Sequence, residues 1–161
     1  MDLDTYGKNG GLLGGHTSRS EKYGIPLSTG SLGHGLPFAL GIAYEEKISQ
    51  SKSHTPIFVI MSDGEMNEGT TWESALIGNH LELNNLIVII DRNNLQSFTT
   101  TEKTLAINPL ADKWKAFGWD VVEVNGHNVK ELIEQFQTLN KPKVIIANTI
   151  KGKGISFMSI S

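Results

Sequence analysis

Two runs of consecutive apolar residues, Ile57-Phe58-Val59-Ile60-Met61 and Leu86-Ile87-Val88-Ile89-Ile90, constrain this chain more than anything else in it. Each is short, rich in β-formers and bounded by polar residues, the pattern of a strand buried on both faces. Between them the period changes to that of a helix. Thr70-Thr71-Trp72-Glu73 fits a capping box, in which hydroxyl and carboxylate each satisfy an N–H of the first turn, and the helix it opens runs to about Leu83. The alternation continues on both sides. Leu36 to Ile48 predicts a helix with an apolar face, followed by a polar loop from Ser49 to Thr55. Asn108-Pro109 predicts a helix start with Pro in the first position, and Gly118 sits where that helix stops. Val121 to Val124 reads as a third strand and Lys143 to Asn148 as a fourth. Between these, Asn128 and Glu131 resemble a second capping pair, opening a helix with Val129, Leu132, Ile133, Phe136 and Leu139 on one face. Strands alternating with helices of this length give an α/β fold, a mainly parallel twisted sheet with helices on both faces. No repeat and no internal boundary divides the 161 residues, so a single domain is expected.

Composition narrows the function classes. A formal charge of −3 offers no basic surface for a nucleic acid or an anionic membrane. The run Leu86 to Ile90 is far too short to span a bilayer, and no charged-then-apolar leader opens the chain, so a cytoplasmic protein is expected. With no Cys, disulfides, thiolate metal sites and cysteine nucleophiles are excluded. The 17 Gly are the one unusual count, and they cluster.

Ligands of an open parallel sheet bind beyond the carboxyl ends of its strands. Two consecutive strands end in polar sequence at that edge, Ser62-Asp63-Gly64-Glu65 and Asp91-Arg92-Asn93-Asn94. Either alone is an ordinary turn former. If the strands are parallel neighbours, Asp63 and Asn93 project into one crevice. A carboxylate, an amide oxygen and a nearby main-chain carbonyl are the hard donors that Mg²⁺ and Ca²⁺ select, and they fill half an octahedron. Mg²⁺ completes such a shell with phosphates and water, which points to a phosphorylated cofactor. The segment Ser28-Thr29-Gly30-Ser31-Leu32-Gly33-His34-Gly35 offers backbone that a ligand can approach closely, opening onto a helix; the same glycines equally suit tight helix packing.

Together these residues resemble a known family. Asp63-Gly64-Glu65-Met66-Asn67-Glu68-Gly69, Trp72-Glu73-Ser74-Ala75 and the stretch from Asn84 to Asn94 are similar to the thiamine-diphosphate motif of transketolases. Gly15-His16, Thr29 to Gly35 and Ile150-Lys151-Gly152-Lys153-Gly154 also resemble transketolase segments, in the family's order, and the likeness runs from about Leu13 to Met158. The resemblance implies thiamine diphosphate bound through Mg²⁺ (with Ca²⁺ or Mn²⁺ as alternatives), and transfer of a two-carbon ketol unit from a ketose to an aldose. It makes Asp63 and Asn93 side-chain metal ligands and Leu95 the donor of a main-chain carbonyl. Gly64 matches the glycine whose backbone approaches the diphosphate. Gly30 and Leu32 match main-chain contacts to the aminopyrimidine. His16 matches an active-site histidine near thiazolium and substrate. Glu68 matches a glutamate at the subunit interface, in the proton network joining two active sites.

The chain also departs from that pattern. Ser62 stands where the motif usually has Gly, a change tolerated if its φ stays below zero. His34 stands where many transketolases have Gln. The family's N-terminal segment, its pyrimidine domain and its C-terminal domain find no match in these 161 residues, and with the pyrimidine domain goes the Glu that activates the cofactor. The resemblance therefore implies an N-terminal subunit or fragment, inactive without a partner subunit carrying the pyrimidine domain, in a homo- or hetero-oligomer that takes sugars or sugar phosphates. The alternative is a non-catalytic paralogue serving as a binding or regulatory subunit. Of the other histidines, His54 reads as a loop residue, His80 as a helix residue near its end and His127 as part of a turn. Lys151 and Lys153 read as solvated.

Overall fold

The structure, a computed structural model, describes residues 3–11, 14–49, 55–97, 99–136 and 140–159. Leu13, His54, Leu139 and most of the loop expected over Ser49 to Thr55 lie outside the described residues. In chain order, helix α1 (Gly35–Ile48) precedes strand β1 (Ile57–Ser62), and α2 (Gly69–His80) connects β1 to β2 (Leu86–Arg92). A small antiparallel pair, β3 (Leu95–Gln96) and β4 (Thr99–Thr100), follows with the single turn α3 (Thr101–Thr104). Then come α4 (Leu110–Ala116), β5 (Asp120–Asn125), α5 (Val129–Glu134) and β6 (Lys143–Asn148).

The long strands form one parallel sheet in the order β1-β2-β6-β5. Its register sets Ser62 opposite Asp91 and Arg92 opposite Asn148, so three strands deliver polar residues to one edge. The main core fills one face. There α1, α2 and α4 bring Leu36, Ala39, Ala75, Leu110 and Trp114 against Val59, Met61, Val88, Ile90, Val144 and Ile146. Trp114 is fully buried and meets Trp119 edge-on at 5.1 Å between ring centroids, within an aromatic group that includes Trp72 and Phe117. Among the described residues the opposite face carries α5, with Leu132 and, just beyond the helix, Phe136 packed on Ile87, Val124, Ile145 and Ala147.

That asymmetry corrects two expectations. β2 and β6 are inner strands and are buried as continuous apolar runs are expected to be, but β1 is an edge strand. Its alternate residues Phe58 and Ile60 are 46% and 77% exposed, because α5 itself does not cover them and the Phe136 ring, just beyond that helix, meets Phe58 edge-on at 5.2 Å. Likewise α5 is shorter than its apolar pattern predicts, and Val129 and Ile133 face outward.

The capping chemistry is mixed. Asn128 caps α5 as expected, its Oδ1 accepting from Lys130 and Glu131 N–H, while Glu131 receives the Asn125 N–H and the Asn128 side-chain amide. The box at Thr70 does not form. α2 begins a residue earlier, the Thr70 hydroxyl donates to the Gly33 carbonyl, and the Thr71 hydroxyl donates to the Glu65 carbonyl. Tertiary acceptors draw both hydroxyls away from the helix, and Glu73 is left exposed. Pro109, after a cis peptide bond, occupies the N-cap of α4 and Leu110 the first helical position. Gly118 follows the C-cap with φ +89°, as a helix stop requires.

Candidate functional site

The end of β1 turns immediately into a 3-10 turn, Asp63–Asn67, and the local sequence explains why. Ser62 has φ −86° and its Oγ accepts from Glu65 N–H at 3.2 Å, capping the turn. The departure from Gly is thus compatible with the backbone and adds a cap. The turn carries Asp63 inward, where the side chain is fully buried. At the end of β2 the chain bends through Asn94, at φ +64°, a conformation Asn tolerates better than most side chains. This bend lays the Asn94 N–H on Asp63 Oδ2 at 2.7 Å. Asp63 and the turn Asn93-Asn94-Leu95 are therefore brought together, as the parallel pairing of β1 and β2 predicts.

The two oxygens of Asp63 are not equivalent. Oδ2 accepts from Asn94 N–H and from Arg92 Nη1 at 3.2 Å, whereas Oδ1 is buried and has no hydrogen-bond partner among the described residues. A buried carboxylate oxygen without a donor is costly, and a hard divalent cation is the natural ligand for it. Asn93 is held at both ends of its amide, Nδ2 donating to Asp91 Oδ2 at 3.1 Å and Oδ1 accepting from Leu95 N–H at 3.0 Å. Asp91 in turn accepts from the Thr149 hydroxyl, beyond the end of β6. Among the described residues no three His, Cys, Asp or Glu side chains converge as a metal cage. A cation at Asp63 would take its remaining ligands from amide, carbonyl, phosphate or water oxygens.

Burial raises the Asp63 carboxyl above its ordinary value, against the Asn94 N–H and the Arg92 guanidinium, which pull it down. The protonated form is thus favoured by the fold relative to the unfolded chain. Its stability contribution is fully present below the ordinary carboxylate value and is lost as pH rises through the raised one. Compared with Asp63→Asn, which does not titrate, the wild-type chain should gain in urea midpoint as pH falls from neutrality. A gap moving the other way would show that the favourable hydrogen bonds outweigh burial.

Gly64 underlies Gln96: a Cβ there would lie 3.1 Å from Gln96 Cγ. The Gly-rich loop before α1 is fastened to the same turn. Gly33 N–H donates to the buried Glu65 Oε1 at 2.7 Å, and Thr70 Oγ1 donates to Gly33 O at 2.8 Å. His16 packs on Gly30, whose Cβ would meet His16 Nδ1 at 2.7 Å. Leu32 is 45% exposed and its carbonyl accepts from His34 Nδ1. Glu68 caps α2 through its backbone, half-buried, with its Cβ against Gly33. A cleft of about 510 Å³ lies beside His16, lined also by Ser18, Arg19 and Tyr23.

His80 ends α2, and Lys151 and Lys153 are exposed, as expected. His127 does more than shape its turn, because Nε2 accepts from Ile150 N–H at 2.8 Å and ties the β5 turn to the segment after β6. Sequence reasoning gave no role to Glu65, Asp91 or Arg92. The signal for Arg92 was a charged residue continuing a buried strand, which must find partners.

Comparison with known families matches residues 1–159 to the transketolase thiamine diphosphate binding domain. The chain is 43% identical over 159 residues to one of the apulose-4-phosphate transketolase subunits of Phocaeicola vulgatus, over 96% of this chain and 56% of that protein. It is 38% identical over 161 residues to a 6-deoxy-6-sulfo-D-fructose transketolase subunit of a Clostridium species, over 96% of this chain and 57% of that protein. Among solved structures, transketolase from Leishmania mexicana superposes with a TM-score of 0.83 at 29% identity, over 95% of this chain and 25% of that one. The chain thus spans a little over half the length of these curated relatives.

Proposed function

Because the chain belongs to the transketolase family through its thiamine diphosphate-binding domain, we propose that it forms the diphosphate half of an enzyme transferring a two-carbon ketol unit from a ketose to an aldose. The observation that carries this reading is the unpartnered, buried Oδ1 of Asp63, fixed beside the Asn93–Leu95 turn. It fits the metal through which a diphosphate would be held. Asp63 and Asn93 supply side-chain oxygens to Mg²⁺ and Leu95 a main-chain carbonyl, with Ca²⁺ or Mn²⁺ as substitutes. Gly64 presents its backbone to the diphosphate, for which the Gln96 side chain over it would move aside.

Gly30 and Leu32 present main chain to the aminopyrimidine. His16, against Gly30 and in the lining of the cleft, orients substrate near the thiazolium. Glu68 belongs to the contact with a second subunit. Thiamine diphosphate, when bound, supplies the carbanion chemistry of the transfer, and the protein supplies orientation and charge. The group that activates its pyrimidine comes from outside these 161 residues, from a partner subunit bearing the pyrimidine domain, in a cytoplasmic homo- or hetero-oligomer. Relatives named as transketolase subunits support that assembly, and sugars or sugar phosphates are the substrates it would take.

The test is ketol transfer by the chain alone and by the chain mixed with a pyrimidine-domain partner, each with thiamine diphosphate and MgCl₂. Turnover is expected only in the second mixture. Turnover by the chain alone would sink the partner requirement. Absence of metal-dependent cofactor binding even with the partner present would favour a non-catalytic role.

A further inference from the structure

We propose that Arg92 is a positioning residue that makes Asp63 a one-oxygen ligand and so sets the site's preference for a small octahedral cation over a larger one. The inference rests on the metal reading above and deepens it. Magnesium demands near-octahedral geometry from single oxygens, whereas calcium accepts six to eight oxygens and often takes both atoms of a carboxylate. At Asp63 Oδ1 is the oxygen left without a partner among the described residues. Oδ2 already receives the Asn94 N–H at 2.7 Å and Arg92 Nη1 at 3.2 Å.

Arg92 cannot easily vacate that position. It is 6% exposed, and its other contacts are Thr101 Oγ1 at 2.9 Å, Asn108 Oδ1 at 3.3 Å and Glu102 Oε1 at 3.6 Å. Thr101 is itself fully buried, so swinging the guanidinium away would leave buried polar atoms unpaired. The planar fork is what reaches several acceptors at once, which a lysine ammonium on the same strand would not do. Its positive charge also lies on the Oδ2 side and repels a cation from that edge of the carboxylate. Asn93, anchored through Asp91 and Leu95, adds a second ligand with little freedom to move outward around a larger ion.

The experiment titrates Mn²⁺ into the full chain with thiamine diphosphate, following free Mn²⁺ by its paramagnetic resonance spectrum. Bound Mn²⁺ is then displaced with MgCl₂ or CaCl₂. The readout is the ratio of Ca²⁺ to Mg²⁺ needed for half displacement, which a merely structural role of Arg92 would not move. The wild-type chain should require more Ca²⁺ than Mg²⁺. Arg92→Gln should lower the ratio by about tenfold, the scale on which outer groups tune metal affinity. Thr101→Val, which keeps the charge and removes one anchor, should shift it the same way and carries the test if Arg92→Gln does not fold. Retained Mn²⁺ binding with an unchanged ratio in the folded variants overturns the proposal and leaves the metal site standing. If the wild type, with the pyrimidine-domain partner added as well, retains Mn²⁺ no better than Asp63→Asn, the metal reading itself fails and this inference falls with it.

Discussion

Replacing Asp63 by Asn should weaken magnesium-dependent binding of thiamine diphosphate by at least about 100-fold while leaving the fold intact. A unit charge beside a dication is worth several kcal/mol at an effective dielectric of about 20, so a loss of about 3 kcal/mol, or roughly 100-fold, is a modest demand. Asn preserves the size of the side chain and an oxygen, and only the charge is removed. Arg92 loses its buried counter-charge in this variant, but Asn108, Thr101 and the half-exposed Glu102 still face it, so collapse is not expected. Asp63→Ala would also remove the acceptor for the Asn94 N–H and leave a cavity, which is why Asn is the cleaner change. The measurement is calorimetric titration of the cofactor with MgCl₂ and again with chelator, with circular dichroism to confirm folding. Binding by Asp63→Asn at wild-type strength would mean that Asp63 holds no metal.

The parallel sheet was legible because its signals are local and redundant. Short apolar runs alternating with helices admit few arrangements, and the inner strands β2 and β6 are buried as such runs should be. What misled was the assumption that every apolar run is covered twice. Phe58 and Ile60 read like Ile87 and Ile89, which they pair with across β1 and β2, and only strand order distinguishes an edge from a centre. Strand order is a long-range property that periodicity does not carry. The failed capping box at Thr70 is the same lesson at smaller scale, since its hydroxyl found a better-placed acceptor at Gly33, far away in sequence.

Within the candidate site, the residues nearest the strand ends were legible and their supports were not. Asp63 and Asn93 announce themselves by residue type at consecutive strand ends. Asp91 and Arg92 both precede Asn93 in sequence, yet as successive residues of β2 they point to opposite faces of the sheet. Arg92 turns toward Asp63, and Asp91 turns toward Asn93 and Thr149. Glu65 is a further case, a carboxylate that reads as a turn residue and proves to be buried, holding Gly33. Supporting residues are recognised by what they touch, and a touch across the fold has no fixed spacing.

Gly33→Ala should destabilise the chain by about 2–5 kcal/mol, a large share of the 5–15 kcal/mol typical of a domain. Two effects combine. Gly33 has φ +76°, where an L side chain costs about 1–2 kcal/mol. Its Cβ would lie 2.7 Å from Glu68 Cβ and closer still to Thr70 Oγ1, so the loop must lift away from α2. Lifting it breaks the Gly33 N–H to Glu65 Oε1 bond and leaves a buried carboxylate without its donor, a further cost of about 1–3 kcal/mol. Gly35→Ala is the matched control, since φ there is ordinary and the nearest atom, Val59 Cγ1, would be in normal contact at 3.8 Å. Urea unfolding should separate the two variants clearly, with Gly35→Ala close to wild type. The added methyl also sits between the loop bearing Gly30 and the turn bearing Asp63, so amide exchange should rise in both segments of Gly33→Ala even where the rest of the sheet stays protected. Equal midpoints for the two variants would mean that the loop is free of the turn, and that the cofactor site is not organised before its ligand arrives.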